Sequence, residues 1–593
     1  MRPQSESMNI IRYLLVGAGS LLIATSCNKK ESDAGGTGLF TLIDPSASNV
    51  TFNNLIKETP EEYIYTFNYI YNGGGTAIAD FDNDGLQDIY FTGNQVKDKL
   101  YKNLGNFKFE DVSAASGIEQ YAGWHSGVIS ADINNDGLMD IYVCRGGFKN
   151  TPDNKNLLLI NKGGLKFEDQ AEKYGVADPG YSVTATFIDY DGDGDLDLYV
   201  DNRPERWEIH EDSILAVKER MEKYGQEDPL VTDHFYRNNG DGTFTNITRE
   251  AGFYPNYGYG LGVVAGDINT DGADDIYVAN DFIENDYFYI NYGNGSFKQI
   301  VKQLTNHVPY YSMGTDFGDI NNDGKEEILT VEMRPDDYKR SKTTMPAMQP
   351  EYFYYLKQVG FHDQYMHNAL QFNNGNGFFS DISQLAGVDK TDWSWAALIS
   401  DVDNDGLKDI FISNGYRRDV YDRDTNKKMR ELLNKKNNTV DSLEQALGIL
   451  PSVKLVNYIF KNQGDLTFKK KMKEWGMDQT SFSNGAAFGD LDNDGDLDLV
   501  VNNVDDPAFV YRNNLDNAEN YLRVMCVNSP VNSMGLGAKV TIHYDNNQQY
   551  VQIRTARGYL SSCEPVAHFG LGKTEKIDKV TIEWTDKTML EIN

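Results

Sequence analysis

Asp80-Phe81-Asp82-Asn83-Asp84-Gly85-Leu86-Gln87-Asp88 lies between Thr76-Ala77-Ile78-Ala79 and the run Asp88-Ile89-Tyr90-Phe91, an acidic loop joining two short β-prone stretches. Oxygen side chains at loop positions 1, 3, 5 and 9, with Gly at position 6 for the turn, can wrap one hard cation such as Ca²⁺. The pattern D-x-[DN]-x-D-G-x-x-[DE] is written seven times. Its four oxygen positions are Asp80, Asp82, Asp84 and Asp88, then Asp132, Asn134, Asp136 and Asp140, then Asp189, Asp191, Asp193 and Asp197. The fourth set is Asp267, Asn269, Asp271 and Asp275, and the fifth is Asp319, Asn321, Asp323 and Glu327. Asp401, Asp403, Asp405 and Asp409 follow, and Asp490, Asp492, Asp494 and Asp498 end the series. Up to seven Ca²⁺ are therefore the expected cofactors. The second, fourth and fifth loops, where Asn replaces one carboxylate, are expected to be the weaker sites.

Each loop belongs to a longer unit. After the β run comes a second motif of aromatic or apolar residues leading to Asn, Gly and Phe, as in Leu100-Tyr101-Lys102-Asn103 to Phe107 and Phe235-Tyr236-Arg237-Asn238 to Phe244. This reads as four short strands per unit, with the acidic loop between the first two. Loop-to-loop spacings are 52, 57, 78, 52, 82 and 89 residues, so the short ones set the unit and the long ones hold insertions. Seven four-stranded units suit an all-β, seven-bladed β-propeller, which closes on itself and leaves no long open edge. The segment from Leu39 to Phe52 is expected to supply the outer strand that closes the ring near Tyr511-Arg512-Asn513-Asn514.

These units resemble the FG-GAP/VCBS repeats of integrin α-type propellers and of bacterial surface proteins. The resemblance implies a Ca²⁺ hairpin between the first two strands of each blade. An EF-hand fits less well, because its loop needs Glu at position 12, where the first loop has Phe91. From Asn520 the pattern changes. Gly535-Leu536-Gly537-Ala538-Lys539-Val540, Arg557-Gly558-Tyr559-Leu560-Ser561 and His568-Phe569-Gly570-Leu571-Gly572 resemble the ASPIC/UnbV module that follows such propellers in cartilage acidic protein-like proteins. The expected boundaries are a signal segment at 1–27, a tether at 28–38, the propeller at 39–519 and a small β domain at 520–593.

The signal assignment rests on Arg2 and Arg12, the apolar run Tyr13 to Ile23, and Ala24-Thr25-Ser26 before Cys27. That ending is similar to the lipobox of bacterial lipoproteins, which implies lipidation of Cys27 and anchoring in the bacterial outer membrane. Lys29, Lys30, Glu31 and Asp33 resemble the export signals of surface lipoproteins in the Bacteroidetes. Cys144, Cys526 and Cys563 form neither a disulfide framework nor a zinc pattern. The net charge of −34 includes 25 of the 89 acidic residues at loop oxygen positions, and seven Ca²⁺ would bring it to about −20. No basic face is apparent, which excludes nucleic acid as a partner.

The cations are expected to be structural, because a saturated oxygen cage offers no open position for catalysis. No catalytic residue is assigned. Binding is expected on the opposite face. Eight residues before each loop stand Asn72, Trp124, Tyr181, Tyr259, Tyr311, Trp393 and Phe482, roughly 25 Å along the strand from the cation. They form either an aromatic mouth for sugar or peptide stacking or core wedges between blades. Insertions at 205–231, 334–367 and 416–451 add candidate ligand residues His362, Tyr365, Arg417 and Arg418, which Trp393 and Trp395 join, and the first is expected to hold a helix with Ile214, Val217, Met221 and Tyr224 on one face. The expected function is a calcium-stabilised, lipid-anchored surface protein that binds a glycan or protein. The alternatives are a polysaccharide lyase, with His, Tyr and Arg as base, acid and clamp, and an adhesion or assembly subunit beside an outer-membrane transporter.

Overall fold

The computed structural model describes residues 20–24, 38–148, 154–204, 230–253, 258–282, 284–345, 350–435, 440–515, 519–527 and 531–593. Cys27, most of the tether and the helical pattern of the first insertion, with Ile214, Val217, Met221 and Tyr224, lie outside the described residues.

Each acidic loop joins two antiparallel strands, and two more strands complete an up-and-down sheet. In the first blade these are Thr76–Ala79, Asp88–Phe91, Lys99–Asn103 and Phe109–Asp111. The same order recurs five times, and the innermost strands of successive blades pack side by side until the last meets the first. The seventh blade, Thr480–Gly489, Asp498–Val504 and Phe509–Asn513, takes its outer strand from Phe40–Leu42 near the start of the chain. The ring is therefore closed by the expected segment, and the fold is a seven-bladed β-propeller.

The third-strand Asn explains why the second motif repeats. Asn103 donates its backbone N–H to Asp88, the last carboxylate of its own loop, at 2.8 Å. Its side-chain amide donates to the carbonyls of Gln87 in that loop and Leu491 in the loop of the preceding blade. Asn161, Asn291, Asn373, Asn462 and Asn513 repeat both side-chain bonds, so six blades are stapled to their predecessors at the acidic loops.

The C-terminal region forms a four-stranded sheet in the order Asn547–Gln552, Lys539–Tyr544, Lys579–Glu583, Met589–Ile592. Beside it, Asn520–Val527 pairs with Ala567–Gly572 on one edge and with Ser20–Ala24 on the other. Leu522, Val524, Val540, Ile542, Phe569, Ile582 and Trp584 are buried here, continuous with apolar residues of the second and third blades. A hairpin of this region, Ala556–Arg557 and Ser561–Ser562, enters the propeller axis, where Ser562 pairs in parallel with Ala77 of the first inner strand. Glycine makes that entry possible. A Cβ on Gly75 would lie 1.7 Å from the Leu560 carbonyl oxygen, and one on Gly314 would lie 2.8 Å from that of Gly558.

Candidate functional site

The acidic loops are built alike. Asp80 accepts the N–H of Asp84 on Oδ1 at 3.1 Å and that of Gly85 on Oδ2 at 2.8 Å, which holds the turn while its carboxylate faces inward. The first aspartates of the other loops accept two loop N–H groups in the same way. Burial pushes the ninth-position carboxyls up, Asp88 and Asp140 to about 8 and Asp197 to about 9, against the pull of the backbone N–H groups they accept. It pushes Asp275, Glu327, Asp409 and Asp498 well above the ordinary range, and neighbouring loop carboxylates add to the shift. A nearby dication reverses that cost.

Four loops bring one oxygen from each of three carboxylates within 4.8 Å of one another: Asp80, Asp82 and Asp88; Asp189, Asp191 and Asp197; Asp401, Asp403 and Asp409; Asp490, Asp492 and Asp498. These groups could hold a metal ion, and all belong to loops with four carboxylates. Oδ1 of Asp82 and Oδ1 of Asp403 are buried and accept no hydrogen bond, as suits donors reserved for a cation. Lys102 reaches Asp82 and Asp84, and Lys461 reaches Asp403 and Asp405, so an ammonium already offsets part of the charge in two loops.

The C-terminal domain covers this face. Arg523 bonds Asp490 of the seventh loop at 2.8 Å, Lys539 bonds Asp267 of the fourth at 2.5 Å, and Ser533 bonds Asp132 of the second. His568 lies 2.7 Å from Asn404 in the sixth loop. Deeper in, Arg554 pairs with Glu326 at 2.6 Å and Arg557 with Asp316 at 2.7 Å. None of these contacts is readable from the repeat.

The opposite mouth departs from one of the two expected forms. Tyr181, Tyr259, Tyr311, Phe482 and Trp395 are buried, and Trp124 and Trp393 are partly covered. The space they would enclose is filled from both ends. From outside, the segment before the first blade lays Phe67 against Trp124 (centroids 5.0 Å apart) and Tyr69 against Tyr259 (6.2 Å), and Arg203 sits over Tyr69. From inside, Tyr559 of the axial hairpin packs on Trp395 and donates to the Asn72 carbonyl at 3.1 Å. Trp393 stacks on Tyr416 at 3.8 Å. These aromatics are core wedges, and the open ring of faces is corrected to a closed plug.

The other candidates are separated. Arg418 bonds Glu58 at 2.5 Å and Arg417 bonds Asp505 at 3.0 Å, clamping the mouth segment and the seventh blade. His362 faces Thr305 at 3.0 Å, and burial lowers it to about 4. Tyr365 is 40 % exposed. The cluster of base, acid and arginine clamp is thus not assembled from these residues.

Residues 80–143, 225–278, 267–330 and 452–501 match the FG-GAP-like repeat family, and residues 528–593 match the ASPIC and UnbV family. Human cartilage acidic protein 1 is 24 % identical over 543 residues, covering 88 % of this chain and 70 % of that protein. Among solved structures, an Agrocybe aegerita lectin described as recognising non-reducing terminal N-acetylglucosamine shares 17 % identity, with a TM-score of 0.35 over 67 % of this chain and 79 % of the lectin. The rhamnogalacturonan lyase YesW shares 11 %, with a TM-score of 0.33 over 74 % of this chain and 71 % of the lyase.

Proposed function

From a chain that carries FG-GAP-like repeats and a C-terminal ASPIC/UnbV domain, homologous to cartilage acidic protein 1, we propose a calcium-stabilised surface protein that binds its ligand on the face opposite the acidic loops. The observation that carries this reading is the asymmetry of the two faces. The loop face is covered by the C-terminal domain through Arg523, Lys539 and Arg554. In the fifth and sixth blades, the second strand leaves the loop and runs to the other face, and both insertions follow it. They carry the helices Tyr338–Thr343, Pro350–Gln358, Arg423–Lys435 and Val440–Leu447. Tyr338, Tyr354 and Tyr365 there are 78, 63 and 40 % exposed, against buried Tyr181 and Tyr259 in the mouth. Exposed tyrosines on a rigid scaffold suit a glycan or a surface protein, with a flat ring for contact and a hydroxyl for hydrogen bonding.

Calcium follows from the all-oxygen donor sets of the loops, which suit a hard cation and supply no open position for chemistry. Anchoring through a lipid on Cys27, in a bacterial outer membrane, belongs to the same reading. Among the described residues no helix is long and apolar enough to cross a membrane. Binding is favoured over chain cleavage because Arg417 and Arg418 are already engaged by Asp505 and Glu58.

The test is capture of glycans and surface proteins by the purified chain in calcium, then in chelator, with melting followed in parallel. EDTA is expected to lower the melting temperature by many degrees and to abolish capture. A Tyr338→Ala, Tyr354→Ala double variant is expected to lose capture without a change in melting. Unchanged melting in EDTA would sink the calcium claim. Intact capture by the double variant would sink the assignment of the surface. Release of unsaturated uronic-acid ends from a polysaccharide would establish cleavage instead.

A further inference from the structure

Outside the acidic loops, one cluster combines nitrogen and oxygen donors. His307, His367 and Asp381 each offer a ligand atom within 4.8 Å of the others. Asp381 ends the outer strand of the fifth blade, Phe379–Asp381. Its Oδ1 accepts the N–H groups of Leu370 at 3.1 Å and Ser383 at 2.8 Å. This half of the carboxylate does a structural task that the repeat performs elsewhere. Asp169, at the same place in the second blade, accepts Leu158 and Ala171 on Oδ1, and Asp111 in the first accepts Ser113. The other oxygen differs between blades. Asp111 Oδ2 takes the Lys99 ammonium at 2.9 Å, whereas Asp381 Oδ2 accepts the Ser383 hydroxyl at 3.1 Å and faces His307 Nε2 at 3.0 Å and His367 Nδ1 at 3.7 Å.

His307 is held through its backbone and His367 through its ring. The backbone carbonyl of His307 accepts the Gln371 side-chain amide at 2.8 Å. His367 Nδ1 also lies 2.7 Å from the Asn368 carbonyl; in the tautomer that donates its Nδ1–H there, Nε2 keeps the lone pair for a metal. A carbonyl on the second ring nitrogen is the usual partner of a metal-binding histidine, because it fixes the tautomer and the ring plane. His307, His367 and Asp381 also line a cavity of about 750 Å³ together with Arg334, Lys342 and Tyr365. The Tyr365 ring stacks on His367, with centroids 6.2 Å apart, and meets His307 edge-on at 4.9 Å.

We propose that His307, His367 and Asp381 bind one divalent transition metal ion, zinc in the first instance, with its remaining coordination open to this cavity. Two imidazoles and one carboxylate form the three-ligand set of zinc sites that keep an open position. Imidazole donors disfavour calcium, which takes oxygen ligands, so the site is chemically distinct from the acidic loops. One carboxylate leaves the bound dication with a net positive charge. With Arg334 and Lys342 on the cavity wall, the open position then favours an anionic oxygen ligand such as a carboxylate. The inference does not depend on calcium in the loops or on the identity of the protein's ligand.

The full chain is equilibrated with excess Ca²⁺, so that any oxygen cage is saturated, and titrated with Zn²⁺ by calorimetry and by metal analysis after desalting. One equivalent of zinc is expected to bind, to raise the melting temperature in calcium, and to be replaceable by Co²⁺ with visible absorption of a nitrogen- and oxygen-ligated ion. His307→Ala and His367→Gln are each expected to weaken zinc binding by at least about tenfold. Asp381→Asn, which keeps an oxygen for Leu370 and Ser383, is expected to weaken it as well. Should a variant fail to fold, the zinc-dependent melting shift of the unaltered protein decides. No stoichiometric zinc in the presence of calcium, or equal zinc binding by the folded variants, overturns the proposal and leaves the cluster a histidine–aspartate ion pair.

Discussion

Asp281 ends the second strand of the fourth blade, buried beneath the mouth segment, and accepts the Phe282 N–H at 2.7 Å. Burial pushes its carboxyl up to about 8, above the value near 4 of an unfolded chain. A carboxyl raised in the folded state gives its full stability below about pH 4 and loses it as the pH climbs through the folded value. An Asp281→Asn variant keeps the acceptor for Phe282 but cannot ionise. It is expected to melt close to the unaltered protein at pH 4.5 and several degrees above it at pH 9. Melting curves at fixed calcium across that range check this, since the loop carboxylates are common to both proteins. A gap that does not vary with pH would show that the Asp281 carboxyl titrates alike in the folded and unfolded chains, so that burial does not raise it. At this scale the sequence is most informative about residues that serve the repeat. All the loop aspartates are legible because their spacing is chemical, the spacing that one turn around a cation would need. The third-strand Asn could be read as a turn former, since its Oδ1 does accept Gly105 N–H, but its amide bridge to the preceding loop depends on a neighbour many residues away. Lys102 and Lys461 are equally hidden, because a lysine on a strand carries no mark of the carboxylates it will reach.

The element that most changes the picture is the axial hairpin, Ala556–Arg557 with Ser561–Ser562. Strand phase and the depth of each inner strand follow from the acidic loops, and at the mouth opposite them Tyr181 lies against Arg203, Tyr259 against Tyr69 and Tyr311 against Phe282. What fills that mouth did not follow. Periodicity reports which side chains point inward, whereas the plug comes from residues 63–72 and from a hairpin nearly five hundred residues further along. Tyr559 is fully buried between Trp395 and the Asn72 carbonyl. Tyr559→Ala should leave a cavity on the axis and cost about 3–5 kcal/mol by comparison with other large aromatic truncations. Tyr559→Phe, which removes only the hydroxyl bond, should cost about 1 kcal/mol. Chemical denaturation of the two variants measures both. Equal and small losses would mean that the hairpin is not part of the propeller core. The insertions show the complementary case. Their helices were foreshadowed by Leu443, Leu447 and Leu450, which are buried, but Arg417 and Arg418, read as ligand contacts, are tied to Asp505 and Glu58 from the two ends of the propeller.

At the scale of the whole molecule, the proposed function gives the acidic loops two tasks, holding a cation and docking the C-terminal domain. Lys539 makes the conflict explicit. Its ammonium lies 2.5 Å from Asp267, the first ligand position of the fourth loop, whose third position is the neutral Asn269. Burial alone would lower Lys539, yet Asp267 and Asp274 hold its charge and raise it above the ordinary lysine range. The fourth loop thus meets a dication with one carboxylate fewer than the first and with a lysine already on its leading aspartate. Two like charges a few ångströms apart in a partly buried site repel strongly, so a calcium ion in this loop would compete with Lys539 for Asp267. Lys539→Ala is expected to raise calcium affinity at the fourth loop several-fold while weakening domain docking, because Asp267 loses its ion pair and Asp274 its nearby cation. Calcium titration by calorimetry should show a tightened weakest phase, and limited proteolysis without calcium should cut faster between the propeller and the tail. At saturating calcium the cation takes over the neutralisation of Asp267, so the proteolysis difference should shrink. If Lys539→Ala leaves the weakest calcium phase unchanged while accelerating proteolysis at every calcium concentration, Lys539 is a docking contact alone and the two tasks are independent.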